Sequence, residues 1–275
     1  MPSSGRSVVT IGAYDGVHIG HRQVIERVRS LAAQDGLKSV VVTFDRHPAV
    51  VVRPESAPLL LTDLALKLEL LGATGVDEVE ILRFDEQRAA ETAEEFIRGV
   101  LVSQLEVATV VVGRNFHFGN ARSGTVALLE EMGAELGYRV VPFDLVVDGS
   151  PVRPGVPSGV SGPDVVSSTR IRRHIAAGEL EAAERLLGRP HEVRGVTTET
   201  VDREAVAIAV PSEILLPPPG TYAGRLGDLA DREDWQICEA RLEGGPTERR
   251  RVVVTSEREI GPPGAAIRLV FDRPG

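Results

Sequence analysis

Two histidines three residues apart, His18 and His21, carry the clearest chemical pattern in the chain. They close the segment Gly12-Ala13-Tyr14-Asp15-Gly16-Val17-His18-Ile19-Gly20-His21, which joins an apolar, strand-like run to an amphipathic, helix-like stretch. A helix begins with unpaired N–H groups and the positive end of its dipole, and both favour phosphate. Gly12 and Gly20 would let a nucleotide approach the backbone closely. Neither histidine has to act as a base. Each can donate a hydrogen bond to phosphate oxygens as charge builds in a phosphoryl-type transition state. The alternatives for the pair are metal ligation, or two solvent-facing side chains on a helix.

Other residue types point the same way with less force. Ser167-Ser168-Thr169, with Arg172 one turn on, sets hydroxyls, free amides and a guanidinium at a second helix start. Its alternative is an ordinary cap beside a surface arginine. Asn115 follows a buried run and is flanked by Gly113 and Phe116, so it either touches a ligand or makes a turn. His47 before Pro48 either joins a site or ends a strand, and Phe44, Leu60 and Phe116 either line a pocket or fill the core.

These groups need elements to hold them. Short β-branched runs at 8–12, 39–44, 76–82, 109–113 and 138–143 alternate with helical patterns at 20–34, 64–71, 92–105 and 124–135. Thr92 with Glu95 three residues later is a capping-box pattern. Alternating β and α units with apolar strands imply a parallel sheet covered on both faces, with ligands beyond the carboxyl ends of the strands. Asp148 to Asp164, rich in Pro, Gly and Ser, is expected to be a mobile loop. Two helices, 168–177 and 180–187, should follow. From Val193 the pattern becomes short β-like pieces at 206–210, 221–223, 251–254 and 266–271, the mark of a small antiparallel barrel or sandwich. The expected fold class is α/β: a Rossmann-like, doubly wound parallel sheet over residues 1–188, then a small antiparallel β-barrel domain over 189–275.

Composition excludes several classes. The chain has 275 residues, a formal charge of −9, 42% apolar and 26% charged residues, which suits a folded protein. The acidic balance argues against non-specific nucleic-acid binding. One cysteine, Cys238, excludes an internal disulfide and a cysteine-rich zinc site. No apolar run approaches the ~18 residues of a membrane span, and the first, Ser7–Ile11, is shorter than a secretion-signal core. The expectation is a cytoplasmic protein with no membrane or nucleic-acid partner.

With these residues in view, the chain resembles the HxGH nucleotidyltransferase superfamily, and more closely the adenylyltransferase half of bacterial bifunctional riboflavin kinase/FAD synthetases. Besides HxGH, five ordered segments within residues 7–190 are similar to that family. They are Thr43-Phe44-Asp45-Arg46-His47-Pro48; Leu60-Leu61-Thr62 with Lys67; Phe84-Asp85 with Ala93-Glu94-Glu95-Phe96; Val112 to Gly119 with Arg122-Ser123-Gly124; and Val166 to Arg172. The resemblance implies magnesium-dependent transfer of AMP from ATP to FMN, giving FAD and pyrophosphate. It implies that His18, His21, Asn115, Ser168, Thr169 and Arg172 hold ATP and stabilise the leaving pyrophosphate. Gly12, Tyr14, Asp15, Gly20, Phe44, Asp45, His47, Pro48, Leu60, Thr62, Gly113, Phe116 and Phe118 would surround the nucleotide and the flavin. No residue is assigned to the metal.

Two departures from the family stand out. The first motif has Ala13 and Tyr14 where the family usually has Asn-Phe. Where the kinase half carries G-F-P-T-A-N, this chain reads Ala207-Ile208-Ala209-Val210-Pro211-Ser212, and Val252-Val253-Val254 stands where a catalytic glutamate belongs. The implied barrel is kinase-like in outline and lacks the kinase groups. Two other functions stay open on the residues: transfer of a different nucleotide such as CTP or to a different acceptor, and non-catalytic flavin or nucleotide sensing.

Overall fold

A computed structural model describes residues 6–144, 165–202, 204–229, 234–244, 251–258 and 260–274. The loop expected at Asp148 to Asp164 lies outside the described residues, as do Gly245-Pro246-Thr247 and Glu248. The chain divides into two compact units: Met1–Pro58 with Leu64–Val166, and Leu59–Asp63 with Ser167–Gly275.

The first unit is built on β1 (Ser7–Ile11), β2 (Lys38–Phe44), β3 (Glu78–Leu82), β4 (Val107–Gly113) and β5 (Arg139–Phe143). Every neighbouring pair is parallel and the order is β3-β2-β1-β4-β5. Helices α1 (Ile19–Asp35), α2 (Ala49–Val52), α3 (Leu64–Gly72), α4 (Glu86–Ala90), α5 (Ala93–Phe96) and α6 (Val126–Leu136) fall between them. Successive strand side chains point to opposite faces. Val8 and Val111 therefore pack with Val24, Val28 and Leu31 of α1. Val9, Ile11, Val40 and Val42 pack on the other side with Phe96, Leu101 and Leu129. Both faces are covered, as the apolar strands require. The chain leaves β1 for β2 on one side and returns through β4 on the other, so the strand order reverses beside β1, where open sheets make a binding crevice.

The capping box forms as expected: the Thr92 hydroxyl accepts from the Glu95 N–H at 3.1 Å, and the Glu95 carboxylate accepts from the Thr92 N–H at 2.9 Å. The single helix expected over 92–105 is instead α5 followed by a π-helix, Ile97–Gln104. Its wider turn buries Ile97, Val100 and Leu101 together.

The second unit holds α7 (Ser168–Ala176), α8 (Leu180–Leu187) and six antiparallel strands. These are β6 (His191–Thr200), β7 (Ala205–Ala209), β8 (Gly220–Asp228), β9 (Trp235–Glu243), β10 (Arg251–Thr255) and β11 (Ala266–Pro274). They close into a barrel in the order β10-β7-β6-β11-β8-β9. Sequence patterning passes over β6 and β9, because charged residues occupy alternate positions there: Glu192 and Arg194, then Glu239, Arg241 and Glu243. Alternate residues on these strands, among them Val193, Ala240 and Leu242, are buried with Leu226, Val252, Val254, Leu269 and Phe271. On β6, Glu192 and Arg194 are each 8% exposed. Glu192 accepts from Arg268 at 3.1 Å and pairs with Arg194 at 3.5 Å, and Arg268 stacks 4.4 Å from the centre of the Trp235 ring.

Candidate active site

The loop after β1 is strained in a particular way. Tyr14 (φ 50°) and Val17 (φ 37°) are left-handed without being glycine, and Gly16 (φ 83°) lies between them. Such residues cost about 1–3 kcal/mol each and persist only where packing fixes them. Both side chains are buried with Ile25, Val41 and Leu71. The Tyr14 hydroxyl shares a 2.8 Å hydrogen bond with Thr10, and burial raises its pKa. Packing of Tyr14 and Val17 therefore sets the path that delivers His18 to the start of α1.

His18 is the N-cap of α1 and only 3% exposed. Its Nδ1 accepts from the His21 N–H at 3.3 Å, which leaves Nε2 as the proton-bearing nitrogen of a neutral ring. The two imidazoles stack, with centroids 3.6 Å apart and planes 17° from parallel. The spacing explains the glycine between them: a Cβ on Gly20 would sit 3.3 Å from the His18 ring. Tyr14 meets His21 edge-on at 4.9 Å. Burial, and then the neighbouring His18, push the His21 pKa well below its ordinary value. His21 Nδ1 is buried with no hydrogen-bond partner within the protein. The pair is thus suited to donate from neutral rings at a helix N-terminus, and unsuited to hold two protons.

Beyond the carboxyl ends of the strands lies a cavity of about 880 Å³. Five phenylalanines line it, Phe44, Phe84, Phe96, Phe116 and Phe118, together with charged residues such as Arg53, Arg88 and Glu91. Phe116 and Phe118 stack at 5.5 Å, Phe44 meets Phe84 edge-on at 5.1 Å, and Phe96 tilts against Phe118 at 5.7 Å. Gly12 and Ala13 also line it, and they begin the loop that ends in His18. An aromatic cavity of this size suits a planar heteroaromatic ligand. The wall formed by residues 116–122 is fastened across to α4, with the Asn120 N–H donating to the Glu91 carbonyl at 2.8 Å and its side-chain amide to the Ala89 carbonyl at 3.1 Å. Gly119 (φ 71°) allows this approach, since a Cβ there would lie 2.8 Å from the Ala93 nitrogen.

Of the residues singled out in the sequence, Gly12, Phe44, His47, Pro48, Phe116 and Phe118 line this cavity. Asp45 works behind the wall: its Oδ1 accepts from the Phe84 N–H at 2.9 Å. Burial opposes its charge, but bonds from Phe84 and Arg46 outweigh that and hold its pKa low. Tyr14 is packed inward, and Asp15 is buried. Gly113 ends β4, and exposed Asn115 follows, its carbonyl 2.9 Å from His117 Nδ1. Leu60 and Thr62 do not line the cavity; they belong to the second unit. Leu60 donates to the Glu213 carbonyl at 2.7 Å and accepts from Leu215 at 2.8 Å. In the same unit Ser167 caps α7, accepting from the Arg170 N–H at 3.3 Å, so Ser168 and Thr169 occupy the first turn. Arg172 Nε donates to the Leu59 carbonyl at 2.7 Å. Sequence reading passed over Phe84, Phe96 and His117 as cavity residues. The rule that parallel sheets bind beyond their carboxyl ends would have singled out Phe84, which follows β3.

Among the described residues no three His, Cys, Asp or Glu side chains gather to hold a metal ion. No described helix is long and apolar enough to cross a membrane.

Comparison with known proteins gives the family. Residues 1–151 match the family described as FAD synthetase. Proteins named bifunctional riboflavin kinase/FMN adenylyltransferase are similar: one from Pseudomonas fluorescens is 37% identical, covering 70% of this chain and 58% of its own. One from Escherichia coli K12 is 36% identical, covering 68% and 56%. One from Listeria monocytogenes is 33% identical, covering 78% and 66%. The chain therefore spans less than two thirds of the length of these relatives. A crystal structure titled macrolide-efflux protein, from Streptococcus pneumoniae, shares the fold over 99% of this chain and 86% of its own, with a TM-score of 0.79 and 25% identity.

Proposed function

Since the chain belongs to the FAD synthetase family, we propose that it transfers AMP from ATP to the phosphate of FMN, giving FAD and pyrophosphate. The observation that carries this reading is the aromatic cavity beginning on Gly12 and Ala13, residues of the loop that ends in the stacked His18–His21 pair. The isoalloxazine stacks among Phe44, Phe116 and Phe118. An FMN phosphate oxygen attacks the α-phosphorus in line, and the bond to the β-phosphate bridging oxygen breaks. His18 and His21 donate to the phosphate oxygens whose charge grows, while the N–H groups of α1 add their dipole. Asn115, Ser168, Thr169 and Arg172 hold the nucleotide. Such chemistry rests on positioning and charge neutralisation, without a covalent intermediate. Magnesium would come bound to ATP and offset the charge of its phosphates, and no side chain is assigned to hold it. On this reading the protein works in the cytoplasm on small-molecule substrates.

The barrel is proposed not to phosphorylate riboflavin. Phosphoryl transfer needs a phosphate cradle and a group that orients the attacking hydroxyl. Where the family has its cradle motif, Ala207–Ala209 lie in β7, paired to β6 and β10, and Ala207 and Ile208 are buried. Val252–Val254 are buried in β10 and bring no carboxylate.

The test incubates the purified chain with magnesium, FMN and ATP, CTP or GTP in turn, and separates the products. FAD from ATP alone supports the reading. A different dinucleotide would support altered base choice, which Ala13 on the cavity wall gives reason to include. Binding without product would support a sensor.

A further inference from the structure

Lys67 on α3 is one of two lysines in a chain whose other basic side chains are arginines. It is only 7% exposed. Its ammonium donates to the Phe44 carbonyl at 2.7 Å and to the Ala13 carbonyl at 3.4 Å. Both acceptors sit where regular pairing between β1 and β2 has ended. The last ladder partners are Ile11 and Val42, followed by the Gly12 N–H donating to Val42 at 3.1 Å. Past that point one chain turns into the histidine loop and the other into His47-Pro48. Lys67 bridges the two, helped by the Thr43 hydroxyl donating to Ala13 at 3.3 Å. Ala13 and Phe44 both line the aromatic cavity. Burial works against the charge on Lys67, and the carboxylates of Asp15 and Asp45 work to keep it.

We propose that Lys67 is a positioning residue for the acceptor. By strapping the Ala13 and Phe44 carbonyls together it sets the separation of two cavity walls, and so the seat of the flavin ring. The proposal rests on reading the cavity as the FMN site. A compact ammonium can serve two carbonyls in a space that the wider, planar guanidinium does not match. A methionine would fill the volume but leave both carbonyls without this donor.

The experiment compares wild type with Lys67→Met by three readouts. These are FMN affinity from quenching of flavin fluorescence, kcat with separate KM values for FMN and ATP, and amide exchange at Gly12 and Asp45 without ligand. Lys67→Met should weaken FMN binding and raise its KM by about tenfold, the scale of losing one hydrogen bond from a charged group. The KM for ATP should stay unchanged, and exchange at Gly12 and Asp45 should quicken while α1 is unaffected. Unchanged FMN affinity in a variant that merely melts earlier overturns the proposal, because it makes Lys67 a stability residue only. If Lys67→Met does not fold, Lys67→Gln must show the same FMN-selective loss, and its absence counts against the proposal. If wild type itself binds no FMN, the reading of the cavity falls, and unchanged exchange at Gly12 and Asp45 overturns the strap on its own terms.

Discussion

The carboxyl end of the parallel sheet and the wall of the barrel differ in where they hold strained backbone and how they hold buried charge. After β1, two non-glycine residues are left-handed, two imidazoles are stacked with one nitrogen unpartnered, and an ammonium is buried against carbonyls. In the barrel, buried charges answer one another, as Glu192 does Arg268 and Arg194. The one thiol, Cys238, is buried, and burial pushes its pKa up to about 12, so it is no nucleophile near neutrality. Strain and unanswered polar groups cost stability, and proteins tolerate them where a ligand completes the arrangement. This difference supports the proposal that the chemistry belongs to the sheet and that the barrel does not phosphorylate riboflavin.

The comparison breaks most openly on kinase activity. With riboflavin, ATP and magnesium the protein should form no FMN, whereas FMN under the same conditions should become FAD. Sustained FMN production that disappears when Glu248 or Glu257, the carboxylates on either side of the 251–254 run in the sequence, is changed would return chemistry to the barrel.

Next in size is the histidine pair. His18→Ala and His21→Ala should each lower turnover by roughly 10²–10³-fold, the scale for one lost transition-state donor. His18 also caps α1, so its removal should cost about 1 kcal/mol of stability besides. His18→Asn should restore the cap but not the turnover, which steady-state rates and thermal melts would separate. Near-normal turnover in both alanine variants would remove the phosphate role.

The barrel should reveal itself through pH. Burial above all lowers the His191 pKa to about 4, while its bond to the Leu215 carbonyl works the other way. At pH 7 the ring is neutral whether the chain is folded or not. Below its ordinary value near 6.5 the unfolded chain takes up a proton that the folded one refuses. Stability is therefore full above that value and falls as pH drops toward 4, by up to about 3 kcal/mol. Trp235, the sole tryptophan, lies on β9 and reports barrel unfolding. Urea midpoints followed by its fluorescence should drop with pH in wild type and much less in His191→Gln.

The smallest effect sharpens the geometry of the sheet site. Gly20→Ala brings a methyl against the His18 ring while improving helix propensity. Turnover should fall by about tenfold, a misplacement of one donor rather than its loss. The melting temperature should hold or rise. A variant as active as wild type would mean that the stacking distance has slack.

Much of this was legible because it is local. The alternation of β-branched runs and helical periods gave the parallel sheet, the Thr92–Glu95 capping box needs only neighbouring residues, and His18 with His21 can be placed at a helix start from spacing alone. Strand β6 was hidden because Glu192 and Arg194 look exposed until Arg268, 76 residues beyond Glu192, comes to pair with that glutamate. The grouping of Leu60 and of Ser167 to Arg172 with the barrel, the break of α5 into a π-helix and the burial of Lys67 follow from packing between distant segments. Sequence determined which residues could do chemistry and on which kind of element they stand. Tertiary structure decided that His21 Nδ1 is buried without a hydrogen bond, which phenylalanines face one cavity and which carbonyls Lys67 joins, because those depend on ångström-scale approach between strands that only the folded sheet makes neighbours.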